Sequence, residues 1–275
     1  MTHVFDHPFL LHALLAGIPI AALTGLVGYF VVLRSQVFTG DALSHVAFTG
    51  ALGALALGVD ARLGLFAATV SVGLLLGLLG RAGRADDVVI GTVFAWVLGV
   101  GVLALSVYTA SARAASDGAA GVRVLFGSVF GLSLGQARVA AVVAAGLLLV
   151  MVVVARPLLF SSLDEAVAGA RGLPVTALGV GFLGLVGATA AEASQAVGAL
   201  LLLGLLSAPG AAAIRLTTKP YRAMALSATL SVAAMVGGLL LSDLVPRLPP
   251  SFCIVGLAAA AYGTTLLVRR PLASG

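Results

Sequence analysis

The sequence predicts an all-α, polytopic membrane protein with about nine transmembrane helices, eight being the alternative count. Three observations predict it. Hydrophobic residues make up 61% of the 275-residue chain and charged residues only 9%, against roughly 25% charged in soluble domains. Mean hydropathy is +1.18, more apolar surface than one soluble core of this length can hide. The 15 Lys and Arg residues stand singly between apolar runs, so the net charge of +5 reads as membrane topology and not as a nucleic-acid surface. A single cysteine, Cys253, excludes an intrachain disulfide and a Cys-built metal site.

The runs fall at 13–33, 41–59, 63–80, 88–112, 139–155, 172–191, 193–214, 223–242 and 248–268, each near the ~20 residues a bilayer needs. The first is expected to remain as a helix: no Lys or Arg precedes it, and it is longer than the apolar region of a cleavable signal. The second is instructive. From Val46 to Val59 the uncharged stretch covers only about 21 Å of a hydrocarbon core about 30 Å thick. Taking in Asp41 and His45 extends it to roughly 28 Å, so the span closes only with both polar side chains inside. The third carries Gly73 and Gly77 at GxxxG spacing, read here as close packing within the chain. Residues 1–275 form one transmembrane domain on this reading.

Assigning alternate loops to opposite sides places Arg34, Arg81, Arg84, Arg156, Arg171, Arg215, Lys219, Arg222, Arg269 and Arg270 on one face. Arg62, Arg113, Arg123, Arg138 and Arg247 fall on the other. The richer side is expected to be cytoplasmic, which puts the N-terminus outside and the C-terminus inside. Asp41 and His45 then lie about 10 and 16 Å from the inner edge if the second helix begins at once.

An ionisable pair within a bilayer is expensive and marks function. Asp and His at i and i+4 share one helix face, so carboxylate oxygen and imidazole nitrogen converge on one ion. That donor set suits first-row divalent ions such as manganese, iron and zinc, and the lack of nearby thiols disfavours Cu(I). A structural Asp–His hydrogen bond and a proton relay are the alternatives.

Glu192, with Ser194 and Gln195, is expected at an outer helix junction, capping or facing water. Asp243 is expected to begin a short outer turn rich in proline. His3, Asp6 and His7 read as a disordered N-terminus. The segment 161–174 differs from the other connections. Ser162 with Glu165 has capping-box spacing, and Gly172 followed by Pro174 stops a helix. A short charged helix over about 162–172 has no membrane reason to exist and suits docking to a cytoplasmic partner.

Most of the chain, about 8–270, resembles the permease subunits of bacterial ABC transporters for zinc, manganese and iron. The resemblance begins at Val31-Val32-Leu33-Arg34 with Gly40-Asp41-Ala42-Leu43-Ser44-His45. It continues through Asp87-Val88-Val89-Ile90-Gly91, Leu125-Phe126-Gly127-Ser128 and the segment from Leu163-Asp164-Glu165 to Arg171-Gly172-Leu173-Pro174. Late motifs are Gln195-Ala196-Val197-Gly198, Pro209-Gly210-Ala211 and Pro250-Ser251. Phe252 stands where the family usually has glycine, and Arg34 is followed by Ser35 instead of a second basic residue.

The resemblance implies a permease of the bacterial inner membrane that pairs with a second copy of itself. It implies two cytoplasmic ATPases and an extracytoplasmic metal-binding protein as partners. Asp41 and His45 match the motif proposed to contact metal, and Asp164, Glu165 and Arg171 match the region that engages the ATPase. No cofactor is held permanently; manganese, zinc or iron is cargo, and ATP is used by the partner, since this chain has no Gly-x-x-x-x-Gly-Lys-[Ser/Thr] loop. A proton-coupled secondary carrier and a non-transporting membrane scaffold are the competing readings.

Overall fold

The computed structural model describes residues 8–80, 83–110, 125, 127–199 and 201–268. His3, Asp6, His7, Arg81, Arg113, Phe126, Arg123, Arg269 and Arg270 lie outside the described residues. The described chain is helical: α1 (Pro8–Leu33), α2 (Val37–Leu57), α3 (Ala61–Leu79), α4 (Asp87–Thr109), α5 (Leu134–Leu163), α6 (Glu165–Ala170), α7 (Val175–Val197), α8 (Leu202–Leu216), α9 (Pro220–Leu244) and α10 (Pro250–Val268). Among the described residues, eight of these are long and apolar enough to cross a membrane.

Local chemistry sets the boundaries. Gly58, in the left-handed region at φ 77°, ends α2, where an L side chain would be strained. The Asp60 carboxylate accepts the Arg62 backbone N–H to start α3, and Asp86 accepts from Val88 and Val89 to start α4. Ser133 and Gln136 form a reciprocal capping box at the head of α5. Asp243 lies in the last turn of α9 and does not begin the turn; the Ser242 hydroxyl closes that turn by donating to the Leu248 carbonyl at 2.7 Å.

The expected span over 193–214 does not form. Helix α7 continues through Glu192 to Val197, the chain breaks at Gly198 (φ 91°, ψ 154°), and α8 covers only 15 residues, about 22 Å. The sequence reading placed the helix boundary at the charge. A charge ends a span only when it must reach water, and Glu192 is neutralised inside the bundle.

Helix α1 is the hub, packed against α5, α7, α8 and α9. Glycines let backbones touch: a Cβ on Gly28 would lie 1.8 Å from the Leu206 carbonyl oxygen, and one on Gly210 would lie 2.8 Å from that of Gly28. The same device joins α3 to α7, where Gly73 faces the Leu183 carbonyl and Gly187 that of Thr69. The Gly73 and Gly77 spacing therefore serves packing within the chain.

The alternation of helices sorts the polar residues to two ends. One end gathers Arg34, Arg84, Ser162 and Glu165; the other gathers Asp60, Arg62, Ser128, Glu192 and Gln195.

Candidate metal pathway and its polar supports

Asp41 and His45 lie on one face of α2, both half-buried, while Ala42, Leu43, Ser44 and Val46 between and after them are buried. Helix α2 packs chiefly against α3, α4 and α7, and Asp41, His45 and Phe48 lie along its less buried face. The His45 ring sits 5.1 Å from that of Phe94 on α4 at 59°, which fixes one side of the imidazole. The Ser44 hydroxyl donates to the Asp41 carbonyl at 2.7 Å, occupying the backbone and not the carboxylate. Among the described residues the Asp41 carboxylate has no hydrogen-bond or ionic partner, and no third His, Cys, Asp or Glu joins the pair into a metal-holding group. Helix α2 starts at Val37, so Asp41 and His45 stand about 6 and 12 Å along it, shallower than the expectation from sequence.

The α1–α2 turn is tight. Ser35 takes φ 57°, and the Gln36 N–H donates to the Val31 carbonyl at 2.8 Å. Arg34 is only 4% exposed, its Nη1 donating to Ser162 Oγ at 3.1 Å and its Nε to Gln36 Oε1 at 3.3 Å. Its guanidinium lies 5.5 Å over the Phe182 ring of α7. Burial lowers the Arg34 pKa to about 10, the nearby Arg84 charge adds to that, and Glu165 opposes it.

The short helix between α5 and α7 forms, but its start differs from the sequence reading. Asp164, not Ser162, is its N-cap, accepting the Val167 N–H at 2.9 Å. Ser162 stays inside α5, donating to the Leu158 carbonyl at 2.6 Å and accepting from Arg34, so its hydroxyl is already used. Glu165 Oε1 meets Arg84 Nε at 3.0 Å across from the α3–α4 connection. Arg171 closes α6, exposed, with its guanidinium 5.7 Å over Phe160.

Glu192 is neither a cap nor at water. It is fully buried in α7, with both carboxylate oxygens 3.0 and 3.1 Å from Arg62 Nη2 and a further contact from Gln195 Nε2 at 3.4 Å. Arg62 lines a cavity of about 840 Å³ together with Asp60, Ser128, Gln136, Ser194 and Gln195. Sequence reasoning missed the pair because Arg62 and Glu192 are 130 residues apart. The available signal was a lone acid in a long apolar stretch, which requires a cation.

Comparison with known proteins matches the chain over residues 6–269 to a family model described as ABC 3 transport family. The manganese transport system membrane protein MntC of Halalkalibacterium halodurans is 28% identical over 247 residues, 88% of this chain and 82% of that protein. The chelated iron transport system membrane protein YfeD of Yersinia pestis is 28% identical over 239 residues, 86% of this chain and 78% of that protein. The structure of PsaBC from Streptococcus pneumoniae in complex with Fab superposes with a TM-score of 0.82 at 24% identity, over 98% of this chain and 95% of that one.

Proposed function

Since the chain belongs to the ABC 3 transport family, we propose that it is the membrane subunit of an ATP-driven importer whose cargo is a divalent transition metal, manganese first. The observation that carries this reading is the Asp41–His45 pair: a carboxylate and an imidazole one helical turn apart, partly exposed, with the carboxylate unpartnered among the described residues. Two donors from one chain are too few to keep an ion as a resident group. Two copies of the chain facing each other bring two carboxylates and two imidazoles to a passing ion, a set that suits manganese, iron or zinc.

In this reading the end bearing Arg34, Arg84 and Glu165 is cytoplasmic, so the N-terminus is outside. Two ATPase subunits dock against α6 through Asp164, Glu165 and Arg171. An extracytoplasmic binding protein delivers metal to the opposite end, beside the polar cavity next to Arg62. ATP binding and hydrolysis move α6 and open the path past Asp41 and His45.

The test is ATP hydrolysis by the reconstituted complex, stimulated by the binding protein loaded with manganese, zinc or iron in turn. Stimulation by manganese above the other two supports the proposal. Uptake that follows a proton gradient and ignores ATP would replace it with the secondary carrier, and an absence of any metal-dependent response would favour the scaffold.

A further inference from the structure

Between α6 and the start of α2 the structure contains an unbroken set of polar contacts that crosses four elements. Glu165 on α6 pairs with Arg84 at 3.0 Å. Arg84 Nη2 reaches the Ser162 carbonyl at 3.4 Å, and the Ser162 hydroxyl accepts from Arg34 at 3.1 Å. Arg34 in turn donates to the side chain of Gln36, the residue that caps α2.

We infer that Arg34 is the positioning residue through which a displacement of α6 reaches α2 and its Asp41–His45 pair. The inference deepens the proposed function and rests on its assignment of α6 to ATPase coupling.

Three features single out Arg34. First, the Gln36 side chain makes no capping hydrogen bond to α2; its amide oxygen is turned to Arg34 instead. The start of α2 is held from outside and not by its own cap, a local contact ordinarily worth about 1 kcal/mol. Second, Arg34 Nη2 and Gln36 Nε2 are both buried without an acceptor among the described residues. Leaving such donors unmet is costly, more so on a charged group. A site that were only a structural anchor would satisfy them; one that changes partners between two states leaves donors for the second state. Third, the turn from Leu33 to Val37 is short and hydrogen-bonded, with Ser35 in the left-handed region. It has little slack, so a pull on the guanidinium arrives at Gln36 and, about 8 Å further along the helix, at Asp41. The outer links are weaker. The side chains of Arg84 and Glu165 are 34% and 38% exposed, so that pair acts as a movable latch and not as a stability element.

The experiment reads the two ends of the set separately in the full complex with its ATPase partner. Phe38 on α2 is 70% exposed and Ala166 on α6 is exposed, so Phe38→Cys and Ala166→Cys report by their rate of maleimide labelling, with and without nucleotide trapped by vanadate. In the otherwise unchanged chain both rates shift on trapping. With Arg34→Gln the shift at position 166 persists while that at position 38 falls by about fivefold or more, the size of a lost coupling of ~1 kcal/mol. Gln36→Met, which removes the acceptor of Arg34 Nε and leaves the arginine in place, gives the same separation. A shift at position 38 that survives both substitutions overturns the inference, as does one at position 166 with none at 38 in the unsubstituted protein. No shift at either position removes the coupling role of α6 itself, and the inference falls with it.

Discussion

Arg62, in the first turn of α3, places one guanidinium nitrogen within 3.1 Å of both carboxylate oxygens of Glu192, a fully buried residue in the last two turns of α7. The contact fastens two helices that also meet backbone to backbone at Gly73 and Gly187. The two kinds of contact divide the work. Glycine sets how closely α3 and α7 approach, and the ion pair sets which residues lie opposite each other at the end of the bundle near the large cavity.

Removing one partner of this pair leaves a buried charge, which costs far more than removing both. Arg62→Met is expected to destabilise the protein by about 2–3 kcal/mol, toward the low side because Arg62 is 24% exposed. Arg62→Met combined with Glu192→Met should recover to within about 1 kcal/mol of the unsubstituted protein. Thermal unfolding of the three variants in detergent measures this; a double variant as unstable as the single one would mean that the pair has no compensating character.

Gly28→Ala tests the backbone contact between α1 and α8. Its Cβ would stand 1.8 Å from the Leu206 carbonyl oxygen, with helix backbone on both sides and no flexible side chain to yield. A loss of about 3 kcal/mol or failure to assemble is expected. Gly181→Ala is the control, since its Cβ meets nothing within 4 Å; in a helix this change is neutral or stabilising by up to about 1 kcal/mol. Equal folded yields of the two variants from the membrane fraction would contradict the packing argument.

Glu165→Arg separates docking from stability. The Glu165 and Arg84 side chains are each about one third exposed, so losing their pair costs under about 1 kcal/mol. Thermal stability of the isolated permease therefore changes little, whereas the amount of ATPase that co-purifies drops. Recovery of that amount on adding Arg84→Glu would show that the charge pair, not the identity of either residue, orients α6. An unchanged complex in the first variant would count against a docking role for this helix.

Much of the architecture was legible because a bilayer constrains sequence more strongly than water does. Eight of nine predicted apolar runs correspond to membrane-length helices, and the arithmetic that drew Asp41 and His45 into the second span holds, with α2 covering both. The short helix after α5 was also visible, through Gly172 and the acidic start, although the cap is Asp164. What was not legible is pairing at long range. Glu192 read as the end of a helix because its partner Arg62 lies on another element, and the true break at Gly198 is one glycine among 35. Arg34 read only as one of the basic residues of the richer side for the same reason: its contacts with Ser162 and Phe182 exist only in three dimensions.

The most direct test of the account is ATP-driven manganese uptake into proteoliposomes holding the full complex, comparing the unsubstituted protein with Asp41→Ala and His45→Ala. Loss of a direct ligand should cost at least what loss of an outer partner of a metal site costs, about tenfold. Each variant is therefore expected to transport at a tenth of the normal rate or less, while co-purifying with its ATPase in normal amount. Uptake at the normal rate by both variants would contradict the assignment of Asp41 and His45 to the metal path.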